Sequence, residues 1–476
     1  MAQRVKLFII IAVTVVMAGL VLAHVPWVNG PWYWRWPYRR LSVWPLVPLV
    51  IASAAPFFVA QFLYALKGKA ARVIPLLMLS TFALMLVTCF CQPHGFGRIA
   101  VIIENISITS YYFVAARLAR SGVPTPEWMS IYPQFMTTLP MHAGAKPPGL
   151  LLYHLAFVEV FGDTFAAKTM AGLFLGLLGT LTVPATFLLV RSIADDEPAA
   201  LASASFMALC PSLILQFPLF DQVYPAIGCV MIYLWWRALR TGRLKYAIAL
   251  GALLFVGTMM SHMVLVLGAL LAAMTMFHIA TRRTAGFVTV AIHGMLVLAT
   301  VALLYVVLYA ATGFDPIATF VTIMEHADWF IVMMRRPFPI HMLFDVYDFA
   351  LGTAWISFVL VAMYLIRVRR TFFRWPLHDP GQRLAFLALL QIIAYAGGAF
   401  LPGESSRLWL ILMPLLAVPV GLELAQWSYG ARVTVYACEL LLMTVICQNI
   451  ILINIGENLK GKQIGVPDET GNVAFE

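Results

Sequence analysis

Four short polar clusters interrupt an otherwise apolar chain of 476 residues, and their residue types suit transfer chemistry. The first is Glu104-Asn105 with Ser110-Tyr111-Tyr112, where an apolar run gives way to polar sequence. A carboxylate there would serve as general base for an acceptor hydroxyl. The plainer role is a helix-start Glu, which is favourable near a first turn in any case. The second is His142-Ala143-Gly144-Ala145-Lys146-Pro147-Pro148-Gly149. The prolines fix the backbone and a helix is expected directly after them. A lysine beside a helix start brings a cation and free N–H groups together, which suits phosphate. Otherwise Lys146 would simply snorkel from an interfacial helix.

The third cluster is Asp221-Gln222, in a very short connection between two apolar runs. A lone loop aspartate is usually just solvated, but this one would face the first polar loop across the bundle. The fourth is Gly403-Glu404-Ser405-Ser406-Arg407-Leu408-Trp409. Arg407 opens an apolar helix, either as an ion pair with Glu404 or to grip a lipid-linked phosphate. His262, in Ser261-His262-Met263, is a further candidate, although a histidine in an apolar helix is more often only a buried residue. Phosphate loops, dinucleotide fingerprints and zinc HExxH motifs are all missing from the sequence. The metal requirement is therefore open. An activated donor delivered within the membrane, such as a polyprenyl-phosphate sugar, fits better than a nucleotide sugar.

The elements that hold these groups must be transmembrane helices. The chain is 62% hydrophobic and 11% charged, with mean hydropathy +0.89. Soluble domains are about 25% charged. The apolar residues come in continuous blocks of about 17–25, the span of a helix across lipid. About thirteen spans are expected: 7–23, 46–66, 73–91, 164–190, 197–216, 224–237, 246–260, 264–280, 285–311, 350–367, 383–400, 408–425 and 433–455. The fold class is thus all-α, a polytopic integral membrane helical bundle with two outer-face loops, 92–163 and 312–349, carrying juxtamembrane helices. The core bundle would run 164–311 and the C-terminal bundle 350–455, with an N-terminal part at 1–91 and a flexible tail from 456.

With the N terminus inside, the short loops bearing Lys67, Lys69 and Arg72, Arg191, Arg237 to Lys245, Arg282-Arg283, Arg367 to Arg374 and Arg432 all fall inside. This holds only if 147–161 is re-entrant or interfacial rather than a crossing. In 104–120, Ile106, Tyr112, Ala116 and Ala119 would share one helical face. Trp27, Trp32, Tyr33, Trp34, Trp36 and Tyr38, interleaved with Arg35, Arg39 and Arg40, form an interfacial aromatic belt. The net charge of +10 reflects loop positions, so nucleic acid is not an expected partner. The six cysteines, Cys89, Cys91, Cys210, Cys229, Cys438 and Cys447, lack metal-site spacing.

The order of elements resembles the multi-spanning glycosyltransferases of the C-type fold, in particular the bacterial protein-mannosyltransferase and lipid A aminoarabinose-transferase group. The similarity runs from about 99 to 240, with a second anchor at 401–417. It rests on an acid after a span, Tyr111-Tyr112 and an Ala-rich helix, Lys146-Pro147-Pro148-Gly149 before Leu150 to His154, Ala166-Ala167-Lys168, and Asp221. Gly403-Glu404 through Arg407-Leu408-Trp409 to Pro414 looks like the family's donor-phosphate segment.

The resemblance implies transfer of a sugar from a polyprenyl-phosphate donor to a lipid, glycan or protein acceptor. The place would be the outer face of a bacterial inner membrane, in contact with membrane lipids. Lys146 and Arg407, with His142 and Glu404, would hold the donor phosphate. Glu104 would deprotonate or orient the acceptor. Asp221 would complete the acceptor site or bind a divalent cation, and Tyr111, Tyr112, Gln222 and His262 would line it. The sequence departs from the family where Ser107 or Ile108 stands in place of the usual acid, and two extra spans precede the first loop. The base is therefore open between Glu104, Asp221, Asp345 and Asp348. A polyprenyl-lipid flippase and a non-catalytic partner of such an enzyme are the competing readings.

Overall fold

The computed structural model describes residues 2–30, 35–334, 339–372, 379–398 and 404–455. The side chains of 141, 281–285, 326–334 and 372 lie outside that description. So do Trp32, Tyr33 and Trp34 of the aromatic belt, Arg374, Gly403 and the tail from 456. Among the described residues the fold is all helical, apart from a single antiparallel bridge between Tyr38 and Ile450.

Six helices are long and apolar enough to cross a membrane, or up to eight if each of two sharply bent pairs counts as one span. The chain is an integral membrane protein. Shorter helices occupy the remaining expected spans, including Glu197–Leu209, Tyr224–Thr241, Leu244–Met260, Pro380–Gly397 and Met413–Leu424. Some boundaries differ: the span expected at 350–367 begins at Ile356, after a bend of 104° from the Ile340–Leu351 helix. The last helix, Tyr429–Asn449, stops short of 455, and residues 450–455 run on without helix. Ile451 N–H donates to Pro37 O at 2.8 Å and Arg39 N–H to Asn449 O at 2.9 Å. Backbone groups taken up by this cross-chain pairing are satisfied without helix.

The first long loop breaks into short helices: Arg98–Glu104, Tyr111–Ser121, Thr125–Ser130, Tyr132–Phe135, Met141–Gly144 and Gly149–Phe161. The surface helix starts at Tyr111 rather than at 104, so Ile106 lies before it. Gly149–Phe161 has both ends beside groups of this loop or its neighbours. Gly149 lies against Met259 and Met260, and Tyr153 Oη bonds Ala171 O at 2.7 Å. Tyr112 Oη bonds Asp163 Oδ1, just past the other end, at 3.3 Å.

Backbone from Gly268 to Thr312 is helical throughout, 45 residues. Straight, it would extend about 67 Å. Its ends are instead neighbours. Ser261 bonds Lys146 at 3.1 Å, Lys146 O accepts from Tyr132 Oη at 2.8 Å, and the Tyr132 ring lies 6.0 Å from Phe314. Thr275 meanwhile reaches Trp235, far along the Tyr224–Thr241 helix, at 3.0 Å. The segment therefore doubles back on itself, as two successive spans do.

Small residues bring the bundle core together. Every residue from Ala199 to Leu209 is buried, and this helix lies on Met413–Leu424. A Cβ on Gly421 would stand 2.6 Å from Ala199 O and 2.7 Å from Ser203 N, so only glycine allows this approach. Close backbone contact through small residues is how helices gain packing energy in lipid. The basic loops gather at one end of the bundle. There the buried Glu423 carboxylate takes Lys6, Arg367 Nε at 2.7 Å and Trp427 Nε1 at 3.0 Å. The polar clusters that carry chemistry gather at the other end.

Candidate functional site

Lys146 is set by two prolines and two neighbours. Pro147-Pro148 lead into the Gly149–Phe161 helix, and Tyr132 Oη holds the Lys146 carbonyl. Lys146 Nζ donates to Ser261 Oγ, which sits at the break between Leu244–Met260 and His262–Leu267 and also accepts from Met263 N–H at 3.2 Å. No carboxylate forms an ion pair with this ammonium among the described residues. Burial lowers the Lys146 pKa, the Asp221 charge works to raise it, and Arg407 lowers it further.

Asp221 lies in the tight turn Phe220–Val223, half-buried, directly before the Tyr224–Thr241 helix. Among the described residues its carboxylate has no hydrogen-bond or ion-pair partner. Gln222, its neighbour, is fully buried and donates to Leu213 O. It braces the turn, and its Oε1 is buried without a partner.

Arg407 sits in the short turn Ser405–Leu408, preceded by Glu404 at φ 48°, a left-handed conformation that costs a non-glycine residue. Two buried acids of the Ile340–Leu351 helix hold this turn. Asp348 Oδ2 accepts from Ser406 N–H at 2.9 Å and Asp345 Oδ1 from Ser405 Oγ at 3.1 Å. Trp36 Nε1 donates to Asp348 Oδ1 at 2.6 Å. Arg407 Nη2 pairs with Glu404 at 2.6 Å, and its Nε is buried without a partner. Burial works against the guanidinium charge but is outweighed by Glu404, Asp221 and Tyr111, so its pKa is raised.

Arg407, Glu404, His142 and Ser107 line a cavity of about 270 Å³, together with Arg35, Trp36 and the 451–454 segment. Lys146 and Asp221 are not part of this lining but lie within electrostatic reach of Arg407. His142 contacts Ser107 O at 3.2 Å, and burial, Arg407 and Lys146 push its pKa down to about 4. It is neutral at physiological pH.

The expected residues divide accordingly. Lys146, Asp221, Arg407, Glu404 and His142 come together. The buried Tyr111 joins them through the charges of Asp221 and Arg407, its ring stacked on His154 at 6.3 Å. His262 lies beside Lys146's partner Ser261, edge-on to Phe320 at 5.0 Å. Glu104 is placed elsewhere. It is largely exposed and paired with Lys168 at 2.6 Å, which is also 3.6 Å from Asp163. Tyr112 belongs to that second group through Asp163.

Among the described residues no three His, Cys, Asp or Glu side chains group to hold a metal, and Asp221 is flanked by cations. Sequence reading also passed over Ser261, Tyr132 and Arg35. A serine interrupting an apolar run was the available signal for the first. Tyr132 acts through the Lys146 carbonyl, and Arg35 reads from the sequence only as part of the aromatic belt.

Comparison with known proteins adds little. No family model matches the chain, and no curated protein matches it. Among solved structures the chain is similar to ArnT from Cupriavidus metallidurans bound to undecaprenyl phosphate, with a TM-score of 0.48 and 12% identity. That match covers 76% of this chain and spans only 62% of ArnT. Any functional reading therefore rests on the site itself.

Proposed function

We propose that the chain is a membrane glycosyltransferase that moves a sugar from a polyprenyl-phosphate donor to a lipid, glycan or protein acceptor on the extracytoplasmic face. The observation that carries this reading is the meeting of Lys146, Arg407 and Asp221 from three separate parts of the chain, with the ammonium and the carboxylate both left without ion-pair partners. Lys146, without an ion-pair partner among the described residues, beside Arg407, paired with Glu404 but with its Nε unpartnered, suits a phosphate.

The chemistry is an inverting displacement. Asp221 takes the proton of the acceptor hydroxyl as its oxygen bonds to the anomeric carbon. The bond from that carbon to the phosphate oxygen breaks, and the electron pair leaves on the phosphate. Lys146 and Arg407 stabilise the growing negative charge, which needs no nucleotide. Asp221 is favoured as base over Glu104, because Glu104 is already neutralised by Lys168. Asp345 and Asp348 are engaged in holding the Arg407 turn.

The test is sugar transfer in proteoliposomes from a panel of polyprenyl-phosphate sugars, comparing wild type with Asp221→Asn, Lys146→Ala and Glu104→Gln. Loss of transfer in Asp221→Asn with retention in Glu104→Gln supports the assignment. Tight donor binding without transfer from any donor would favour a flippase or a non-catalytic partner.

A further inference from the structure

The turn that carries Arg407 cannot hold its own shape. It is four residues long, Ser405–Leu408, and the chain enters it through Glu404 at φ 48°. A helix that short has little stability of its own, and a left-handed non-glycine residue persists only where its surroundings fix it. The bonds that fix this one come from another helix. Asp348 Oδ2 takes the Ser406 N–H at 2.9 Å, one of the amides that a helix start leaves without an internal partner.

Asp348 is buried, and its other oxygen takes Trp36 Nε1 at 2.6 Å. Loss of either donor would leave a buried carboxylate oxygen unmet, which is costly. Trp36 is itself clamped at the backbone. Its N–H donates to Asn29 O at 2.9 Å, and its carbonyl accepts from Asn29 Nδ2 at 2.8 Å. Tyr347 Oη donates to Val28 O at 3.1 Å, so the helix that bears Asp348 docks on the backbone next to Asn29. An unbroken series of hydrogen bonds therefore runs from Asn29 through Trp36 and Asp348 to the residue before Arg407. Trp36 and Arg407 also line the same cavity of about 270 Å³.

We propose that Trp36 is a positioning residue of the donor-phosphate site. Through Asp348 and the Ser406 amide, its indole N–H sets where the Arg407 guanidinium stands. This role rests on the reading of Arg407 as a phosphate ligand. A tryptophan that only anchored its own segment would lower Tm when changed and leave ligand affinity alone.

The experiment measures binding of geranylgeranyl phosphate, a short polyprenyl phosphate, to the full chain in detergent, beside Tm and hydrogen exchange of the 404–409 backbone. Trp36→Phe keeps an aromatic ring and removes the N–H. It should weaken binding about 3- to 10-fold and speed exchange across 404–409. Asp348→Asn, at the other end of the same bond, should act in the same direction, and it gives the readout if Trp36→Phe does not fold. The double variant should bind no more weakly than Asp348→Asn alone, because the two residues act through one series of bonds. Glu423→Ala, at the other end of the bundle, should lower Tm without either effect. Unchanged affinity and exchange in Trp36→Phe, additive losses in the double variant, or an equal loss of affinity in Glu423→Ala would overturn the proposal. No binding by wild type, or full binding by Arg407→Ala, sinks the phosphate reading and this proposal with it. An unchanged Trp36→Phe beside a weakened Arg407→Ala sinks this proposal alone.

Discussion

Burial opposes the Lys146 charge and lowers its pKa, with the field of Asp221 working the other way and a serine hydroxyl as the hydrogen-bond partner of its Nζ. The two residues should therefore fail in different ways. Lys146→Ala should weaken donor binding about 10- to 100-fold, the worth of one charged hydrogen bond of about 1.5–3 kcal/mol. Asp221→Asn should lower kcat about 10²- to 10⁴-fold and leave donor Kd no weaker, since it removes a negative charge beside the phosphate. Donor titration alongside single-turnover transfer separates the two.

His142 makes a pH prediction. Its pKa falls from 6.5 unfolded to about 4 folded, so the unfolded chain takes up the proton first as pH drops. The contribution of neutral His142 is complete above 6.5 and is lost as pH falls toward 4. Tm of His142→Gln should decline less steeply than wild type across that window.

At the scale of elements, the apolar blocks were legible because lipid admits few backbone solutions. The helices lie largely within the apolar blocks, and the Gly149–Phe161 helix meets neighbouring groups at both its ends. What was not legible depended on contacts between distant segments. The last helix gives way at Asn449 because residues 37–41 take up the backbone groups at and beyond its end. Glu104 read as a base because it follows an apolar run, but Lys168, one helix away in space, claims it. Asp345 and Asp348 looked like spare acids, yet they brace the turn that carries Arg407. The Gly149 contact gives an element-level test. A Cβ there would stand 2.8 Å from the Met259 carbonyl carbon, so Gly149→Ala must push two helices apart. It should cost about 1–3 kcal/mol and weaken donor binding through Lys146, both readable from Tm and a donor titration.

For the molecule as a whole, the bundle separates its chemistry from its anchoring. Glu423 is fully buried and ties the first helix to two late ones through Lys6 and Arg367. Glu423→Ala strands those cations and should cost about 3–5 kcal/mol, seen as a lower Tm in detergent, with donor affinity unchanged. The separation predicts a sidedness. Cysteines replacing the exposed Ser107 and Arg369 should react with an impermeant maleimide from opposite sides of sealed vesicles. Labelling of both from one side would remove the proposed outer-face site.

The wall formed by residues 451–454 sets an order of events during synthesis. Arg407 and His142 can be inserted and helical while the cavity they share still lacks one side, because Ile451 and Asn454 leave the ribosome later. Only when Ile451 has reached Pro37, near the opposite end of the chain, is the enclosure complete. A nascent or C-terminally clipped chain would then be membrane-inserted and helical yet have this cavity open on one side until its last residues dock.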